Sequence, residues 1–243
     1  MNSIDSCGEG SVGNGQQEFV TGCRDGSAKV WDPRTGAAVV TVEPSSSGAD
    51  CWAVCFGNAS TGEERCIVAG YDTGDVKLLD LKTTSVKWET TVSSGVCHLS
   101  FDRKDIAMNK LSVSSLEGQV NVFDMRTHNP KSGFAACSAS IGKSTLWGCN
   151  YLPQNREVMS LTDGCGNLML YKYSYPDKRQ ITGADGLPVG VPGTLEPLCF
   201  TQNLSTQPIV SFDWHSEKRG LAAMASLEQS VKVLICTKLE SIN

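Results

Sequence analysis

The chain has 243 residues, of which 40% are hydrophobic and 19% are charged, and its formal net charge is −5. This length is enough to bury a substantial core, as one large all-β domain or as two smaller domains. No stretch reaches the ~18 apolar residues of a membrane span. The acidic balance and the lack of a basic stripe argue against nucleic acid or an anionic membrane as a partner.

Cysteine is abundant, but its spacing does not indicate a metal site. The 11 cysteines include no CxxC pair, the closest spacing is Cys51 to Cys55, and His98, His128 and His215 form no ligand pattern. Zinc sites need closely spaced Cys/His pairs. We therefore expect no metal, no cofactor and no disulfide. The first residues show neither a basic segment nor an apolar stretch of a secretory signal, so we expect reduced cysteines and a cytoplasmic location.

A hairpin motif recurs five times, at 22–32, 70–80, 114–124, 162–172 and 225–235. One position is always large and apolar: Trp31, Leu79, Phe123, Tyr171 and Leu234. Successive copies of it are 48, 44, 48 and 63 residues apart, close to the ~40–45 of a four-stranded propeller blade. The turn residue is glycine in four copies, which suits a tight hairpin, and Gln229 in the fifth. Residues two apart share a face, as in Ala28/Val30, Val76/Leu78, Val120/Val122 and Leu168/Leu170, which predicts strands.

A second motif precedes four of these hairpins. It reads CWAVCF, VCHLSF, LWGCNY and IVSFDW, at 51–56, 96–101, 146–151 and 209–214, with a weaker copy at 2–5. In a propeller this is the innermost strand, and outer strands are expected after the hairpins, as at 37–42 and 85–92. The alternative is a β-sandwich of ordinary alternating strands, but two motifs recurring in a fixed order favour the propeller. We predict about five blades, near 1–44, 45–93, 94–140, 141–203 and 204–243, and very little helix.

The longest spacing between hairpins reflects an insertion at 175–206, which is rich in glycine and proline. A long loop on a rigid scaffold is often functional, but it can equally be a mobile surface segment. Part of the insertion, residues 195–201, is expected to supply the outer strand of its blade.

Trp52 and Trp147 occupy the same position of successive inner-strand motifs. Such residues line the mouth of a propeller and anchor a partner, or they pack between blades, and the sequence leaves both interpretations open. Asp32, Asp80 and Asp124 recur at blade ends, which favours turn structure over paired catalytic carboxylates.

Sequence motifs for catalysis are weak. The GKST segment at 142–145 lacks the upstream glycine of a phosphate-binding loop and precedes a strand rather than a helix. There is no GxSxG motif, and His98 falls within a strand, where a packed core histidine is expected. We therefore predict no catalytic residues and a protein that is not an enzyme.

The segment Val30-Trp31-Asp32, which follows Asp25-Gly26, resembles the WD-repeat signature. Longer segments resemble the Monad family of WD-repeat axonemal dynein assembly factors, at 20–34, 63–82, 95–111, 123–130, 152–157, 204–220 and 231–239. Among them, FDRKDIAMNKL and STQPI are not generic features of the repeat.

This resemblance implies an all-β WD-repeat β-propeller that acts as a non-catalytic protein-interaction scaffold. The implied role is cytoplasmic preassembly of axonemal dynein arms for motile cilia, with dynein chains and chaperone or prefoldin-like co-chaperone partners. A link to apoptosis is also attached to the family.

The family is expected to form a seven-bladed ring, whereas this chain carries about five copies of the motifs. We therefore expect an N-terminally truncated form with an incomplete or open ring and uncovered blade faces. Two other functions remain open. One is a reader of modified peptides or ubiquitin at the propeller mouth. The other is an enzyme, which would need clustered polar residues at the axis that the sequence does not show.

Overall fold

The computed structural model describes residues 1–8, 17–43, 48–59 and 64–239, without the side chains of Cys199 and Phe200. Within these ranges the chain is all-β, and its main sheets follow one another along the sequence as antiparallel blades. The predicted propeller of five blades is confirmed. No helix in the described residues has the length and apolar character that crossing a bilayer requires.

The first three blades each have four strands, paired in sequence order. Blade 1 consists of β1 (Ser3–Cys7), β2 (Glu18–Gly22), β3 (Ala28–Asp32) and β4 (Ala37–Val42). Blade 2 consists of β5 (Cys51–Gly57), β6 (Cys66–Tyr71), β7 (Asp75–Asp80) and β8 (Ser85–Thr91). Blade 3 consists of β9 (Val96–Phe101), β10 (Lys110–Ser115), β11 (Gln119–Asn129) and β12 (Gly133–Ser140).

The last two blades depart from this regular plan. Blade 4 consists of β13 (Leu146–Leu152), β14 (Asn155–Asp163), β15 (Asn167–Ser174) and β18 (Thr194–Asn203), so the insertion supplies its outer strand as predicted. Between β15 and β18 the insertion forms a separate hairpin of β16 (Gln180–Thr182) and β17 (Pro188–Gly190). Blade 5 has three strands in the described residues, β19 (Ile209–Trp214), β20 (Leu221–Ser226) and β21 (Ser230–Ile235).

The turn between the second and third strands has a residue with positive φ at the same position in every blade. Gly26, Gly74, Gly118, Gly166 and Gln229 all have positive φ, between 63° and 91°. Position 166 requires glycine for a second reason. An added Cβ would lie 1.9 Å from a backbone carbonyl oxygen in the segment that follows the fourth strand. Blade 5 places no fourth strand there in the described residues, so the Gln229 side chain is accommodated.

Each pair of neighbouring blades shares one hydrophobic core. We call the face that packs on the preceding blade the leading face, and the face that packs on the following blade the trailing face. Between blades 1 and 2, Val20 and Val30 of the trailing face meet Ile67 and Leu79 of the leading face. Equivalent clusters join blades 2 and 3, blades 3 and 4, and blades 4 and 5. The core of the molecule therefore lies between the sheets, in successive layers.

Inner strands β1, β5, β9, β13 and β19 lie side by side, each packed on the next. In the described part of the chain, β19 and β1 share no packed interface comparable with these four. All five strands nevertheless border one central cavity, which we call the axial cavity.

Candidate interaction surfaces

The axial cavity has a volume of about 740 Å³ and is lined by all five inner strands. Side chains of one inner strand bind backbone groups of the next. The Val54 N–H donates to Ser3 Oγ at 3.3 Å, and the Phe56 N–H donates to Asp5 Oδ2 at 2.8 Å. Lys104 forms an ion pair with the same carboxylate of Asp5. The two hydrogen bonds join blades 1 and 2, and the ion pair links blade 1 to the loop after β9 of blade 3.

The structure brings together one Cys/His pair that the sequence did not reveal. His98 Nδ1 lies 3.4 Å from Cys149 Sγ, across the contact between β9 and β13. Burial lowers the pKa of His98 to about 4 and raises the pKa of the Cys149 thiol to about 11. An activated nucleophile needs a thiolate with a lowered pKa, and both shifts oppose that. The geometry fits a neutral packed pair, as expected for His98.

Trp52 and Trp147, which the sequence placed in one column, have different surroundings. A Cβ added at Gly95 would lie 2.9 Å from Trp52 Cζ3, so the half-buried Trp52 ring packs against the start of blade 3. Trp147 is 37% exposed and lies near Gly164 of its own blade. Of the two side chains, Trp147 is the more exposed, and a role of either in binding a partner stays a prediction.

Asp32 and Asp80 end the third strands of blades 1 and 2, at the turns that follow, whereas Asp124 lies within β11, where the pairing with β12 becomes irregular. Asp32, Asp80 and Asp124 each accept the N–H of the residue two positions on, at 2.8 to 3.0 Å. This is the local bond by which aspartate stabilises a turn. The three carboxylates lie in separate blades, so they do not form a catalytic pair.

The insertion is bound to the preceding blade rather than extended into solvent. Arg179 Nε donates to Asp124 Oδ2 at 2.7 Å, and Arg179 Nη2 donates both to Asp124 Oδ1 and to Asn109. Asn129 Nδ2 donates to the Pro188 carbonyl at 2.7 Å. Because the Asp124 side chain is fully buried, the guanidinium of Arg179 compensates a buried charge. The insertion therefore forms part of the surface of blade 3.

Beneath this contact lies a buried lysine surrounded by tyrosines. The Lys110 side chain has no exposed surface; it lies 3.5 Å from Asp102 and donates to Tyr175 Oη at 2.8 Å. Its ammonium also lies within 5.5 Å of the ring centres of Tyr151, Tyr173 and Tyr175. A buried ammonium needs such compensation. This cluster joins blades 3 and 4 and supports the root of the insertion.

The structure also bears on metal binding and disulfides. In the described ranges no group of three or more His, Cys, Asp and Glu side chains is placed to hold a metal ion. None of the ten cysteines whose side chains are described is paired in a disulfide. Burial raises the pKa of Cys51 to about 12 and that of Cys66 to about 11, so these thiols pack as small apolar groups. The absence of metal and cofactor stays a prediction.

Two of these features were missed at the sequence level for an identifiable reason. Arg179 and Asp124 are 55 residues apart, and no local pattern connects them. His98 and Cys149 occupy adjacent columns of consecutive inner-strand motifs, so stacking the repeats in register would have placed them together.

Comparisons with known proteins identify the family. No family model matches the chain. The chain is 51% identical over 245 residues to dynein axonemal assembly factor 10 of Xenopus laevis, and 50% identical to the proteins of that name from Homo sapiens and Chlamydomonas reinhardtii. Each alignment covers 100% of this chain and 68% of the relative. The chain therefore belongs to the dynein axonemal assembly factor 10 family.

Proposed function

We propose that this protein is a non-catalytic scaffold in the assembly of axonemal dyneins, acting in the cytoplasm. The observation that carries the proposal is the identity of about 50% with relatives named dynein axonemal assembly factor in an amphibian, a human and an alga. The alignment covers the whole chain, including the insertion. A shared propeller architecture alone does not require such identity, because WD repeats tolerate wide sequence variation at their surfaces.

The structure is consistent with binding rather than catalysis. The pair of His98 and Cys149 between β9 and β13 has pKa shifts that oppose activation. Exposed apolar side chains are available instead, including Trp147 at 37% and Ile181 of the insertion at 52%. We infer that such surfaces bind dynein chains together with chaperone or prefoldin-like co-chaperone partners, for the assembly of motile cilia.

Affinity capture tests this proposal directly. The tagged protein is expressed in ciliated cells, the cilia are removed, and the cytosol of the cell bodies is applied to the tag resin. We expect axonemal dynein heavy chains and co-chaperones to be enriched over capture with an unrelated tagged propeller. Dynein recovery equal to that of the unrelated propeller would contradict the proposal. Dynein recovered only from the isolated cilia would contradict action in the cytoplasm.

A second candidate function is a reader of modified peptides or ubiquitin. The exposed indole of Trp147 favours it, because aromatic side chains often anchor a bound partner. If this is correct, Trp147→Ala abolishes binding of ubiquitin or a modified peptide, whereas Leu227→Ala, which removes another exposed apolar side chain, leaves binding unchanged. Two results together would favour the assembly scaffold. The protein without the substitution would bind no ubiquitin, and the Trp147→Ala variant would still recover dynein.

A further inference from the structure

The hairpin of the insertion has one closed edge and one open edge. On the side of β17, Pro188 has no N–H to donate, and its carbonyl already accepts Asn129 Nδ2 at 2.7 Å. A Cβ added at Gly190 would lie 2.7 Å from both Thr127 and Ala135, so this side of the hairpin packs directly on blade 3. On the side of β16, no further strand pairs with the hairpin in the described part of the chain.

The pairing between the two strands determines which backbone groups of β16 point outward. The Val191 N–H donates to the Arg179 carbonyl at 2.9 Å, and the Gly183 N–H donates to the Leu187 carbonyl at 2.8 Å. Along an antiparallel ladder, hydrogen-bonded pairs alternate with pairs that are not hydrogen-bonded. Ile181 lies midway between these two bonds, so its N–H and C=O point towards β17.

Gln180 and Thr182, on either side of Ile181, therefore point their N–H and C=O groups away from β17. All three residues of β16 are exposed, and no described backbone group bonds to these two residues from the open side. An edge strand that must stay unpaired usually carries a proline or charged side chains. The sequence of β16, QIT, has neither.

The open edge is also held in a fixed position. Arg179, directly before β16, binds the buried carboxylate of Asp124 in blade 3. At the far end of the hairpin, Lys131 of blade 3 forms an ion pair with Asp185 at 2.8 Å. Because both ends of the hairpin are bound to the blade, a segment that adds to β16 does not have to order it first, which lowers the cost of binding.

Side chains along β16 indicate what such a segment carries. Ile181 is 52% exposed. In an added antiparallel strand, the residue opposite Ile181 belongs to a pair that is not hydrogen-bonded, in which the two side chains lie closest. An aliphatic residue at that position would cover Ile181.

The charges at the start of β16 favour a carboxylate at one end of the segment. Lys178 is exposed, and the carbonyl of the exposed Arg126 accepts Gln180 Nε2 at 3.2 Å. Neither cation forms an ion pair with a described residue, and the guanidinium of Arg126 donates to backbone carbonyls. Asp177 is exposed beside them and offsets one of the two charges.

We propose that β16 binds an extended segment of a partner protein, which adds antiparallel to it as the third strand of the hairpin sheet. Main-chain hydrogen bonds to Gln180 and Thr182 hold the segment, and its side chains provide the selectivity. The segment has an aliphatic residue opposite Ile181 and carboxylates at its C-terminal end, beside Lys178 and Arg126. The proposal does not depend on the role in dynein assembly.

A synthetic peptide tests the proposal on the unaltered chain. The peptide has seven residues, with valine at the third position, glutamate at the last two and threonine elsewhere. It is titrated into the isotope-labelled chain, and the amide resonances are followed by NMR. We expect saturable shifts of the Gln180 and Thr182 amides, with a dissociation constant no weaker than about 1 mM, and smaller shifts of the Ile181 amide. Unchanged resonances along β16 would overturn the proposal.

Modified peptides test the hydrogen bonds and the direction of the added strand. A methyl group on the nitrogen of the threonine after the valine removes the N–H that donates to the Gln180 carbonyl, so binding should weaken roughly tenfold or more. A methyl group on the valine nitrogen is the matched control, because that N–H points away from β16, and binding should stay within about threefold. Equal affinity of the two methylated peptides would overturn the proposal. So would unchanged affinity of a peptide with its glutamates moved to the N-terminus.

Two substitutions of one residue test the edge from the side of the protein. Thr182→Pro removes an outward N–H without removing a bond to β17, at a position where an edge strand tolerates proline, so peptide binding should weaken roughly tenfold. Thr182→Val keeps the N–H and the shape of the side chain and should bind like the unaltered chain. Protection of residues 175–206 from protease shows that the hairpin is intact in each variant. Equal binding by the two variants would overturn the proposal.

The same samples distinguish a partner segment from a second copy of the chain. We expect the chain without peptide to show amide resonances of β16 that do not depend on its concentration. Shifts of the Gln180 and Thr182 amides that grow with chain concentration, together with exclusion of the peptide, would show that two copies pair through β16. That result would overturn the proposal.

Discussion

Replacing Arg179 with alanine removes the cation that binds the insertion to blade 3. The guanidinium donates to both oxygens of Asp124, whose side chain is fully buried, and to Asn109. Breaking a buried ion pair by removing one partner costs about 3–5 kcal/mol, because the remaining charge is left uncompensated. Arg179 is 35% exposed and Asp124 keeps the N–H of Arg126. We therefore expect the free energy of unfolding to fall by about 3 kcal/mol, at the low end of that range.

Urea unfolding measures this loss, and limited proteolysis shows whether residues 175–206 are released. Lys131→Ala is the matched control, since it breaks an ion pair of the same insertion with Asp185 that lies at the surface, with Lys131 71% exposed. Surface pairs of this kind contribute little to stability, so no measurable change is expected. Arg179→Lys keeps the charge but loses the paired hydrogen bonds, and its stability should be intermediate. Equal stability of Arg179→Ala and Lys131→Ala, with the insertion still protected from protease, would refute this account of the insertion.

Three further predictions concern the interior. Burial lowers the pKa of His98 to about 4 from 6.5, so the unfolded chain takes up a proton first as the pH falls. The free energy of unfolding should therefore fall between pH 6.5 and pH 4, and at pH 5 the loss should be about 2 kcal/mol. In urea unfolding, His98→Gln should remove this dependence of stability on pH. Trp214→Phe loses the bond from Nε1 to Ser160 Oγ at 3.0 Å, which should cost about 1–2 kcal/mol. Gly166→Ala should lower the melting temperature far more than Gly36→Ala. Both glycines have positive φ, but only at Gly166 would the added Cβ lie within 2 Å of a backbone oxygen.

Each of these predictions has an outcome that contradicts it. A full pH slope in the His98→Gln chain would assign the titration to other groups. Unchanged stability of Trp214→Phe would show that its indole N–H contributes nothing there. Equal melting temperatures for the two Gly→Ala chains would show that backbone conformation, and not the close approach of the fourth strand, requires Gly166.

The blades were predictable from the sequence because their causes are local and repeated. In the first four blades, the alternation in Val76/Leu78 and its equivalents, the large apolar residue after it and the turn glycine recur every 44 to 48 residues. Even the outer strand of blade 4 was predicted within the insertion, at 195–201, and the structure has it at Thr194–Asn203. Gln229 shows that the left-handed turn persists where glycine is replaced.

Contacts between distant residues were not predictable in the same way. Arg179 meets Asp124 only because the hairpin of the insertion folds back over blade 3, and nothing near either residue encodes that path. Trp52 and Trp147 look equivalent along the chain, but Trp52 faces Gly95 of the next blade, whereas Trp147 stays exposed. The environment of a repeated position depends on the neighbouring blade, and the repeat pattern does not specify it.

The most direct test of the proposed function is a count of dynein arms after depletion. The protein is removed from ciliated or flagellated cells of its own organism, and the axonemes are imaged by electron cryotomography. Transcripts for the dynein chains are measured in the same cells. We predict that axonemes form with far fewer dynein arms while those transcripts stay at normal levels, and that restoring the protein restores the arms. Axonemes with a full set of dynein arms after complete depletion would contradict the role in dynein assembly.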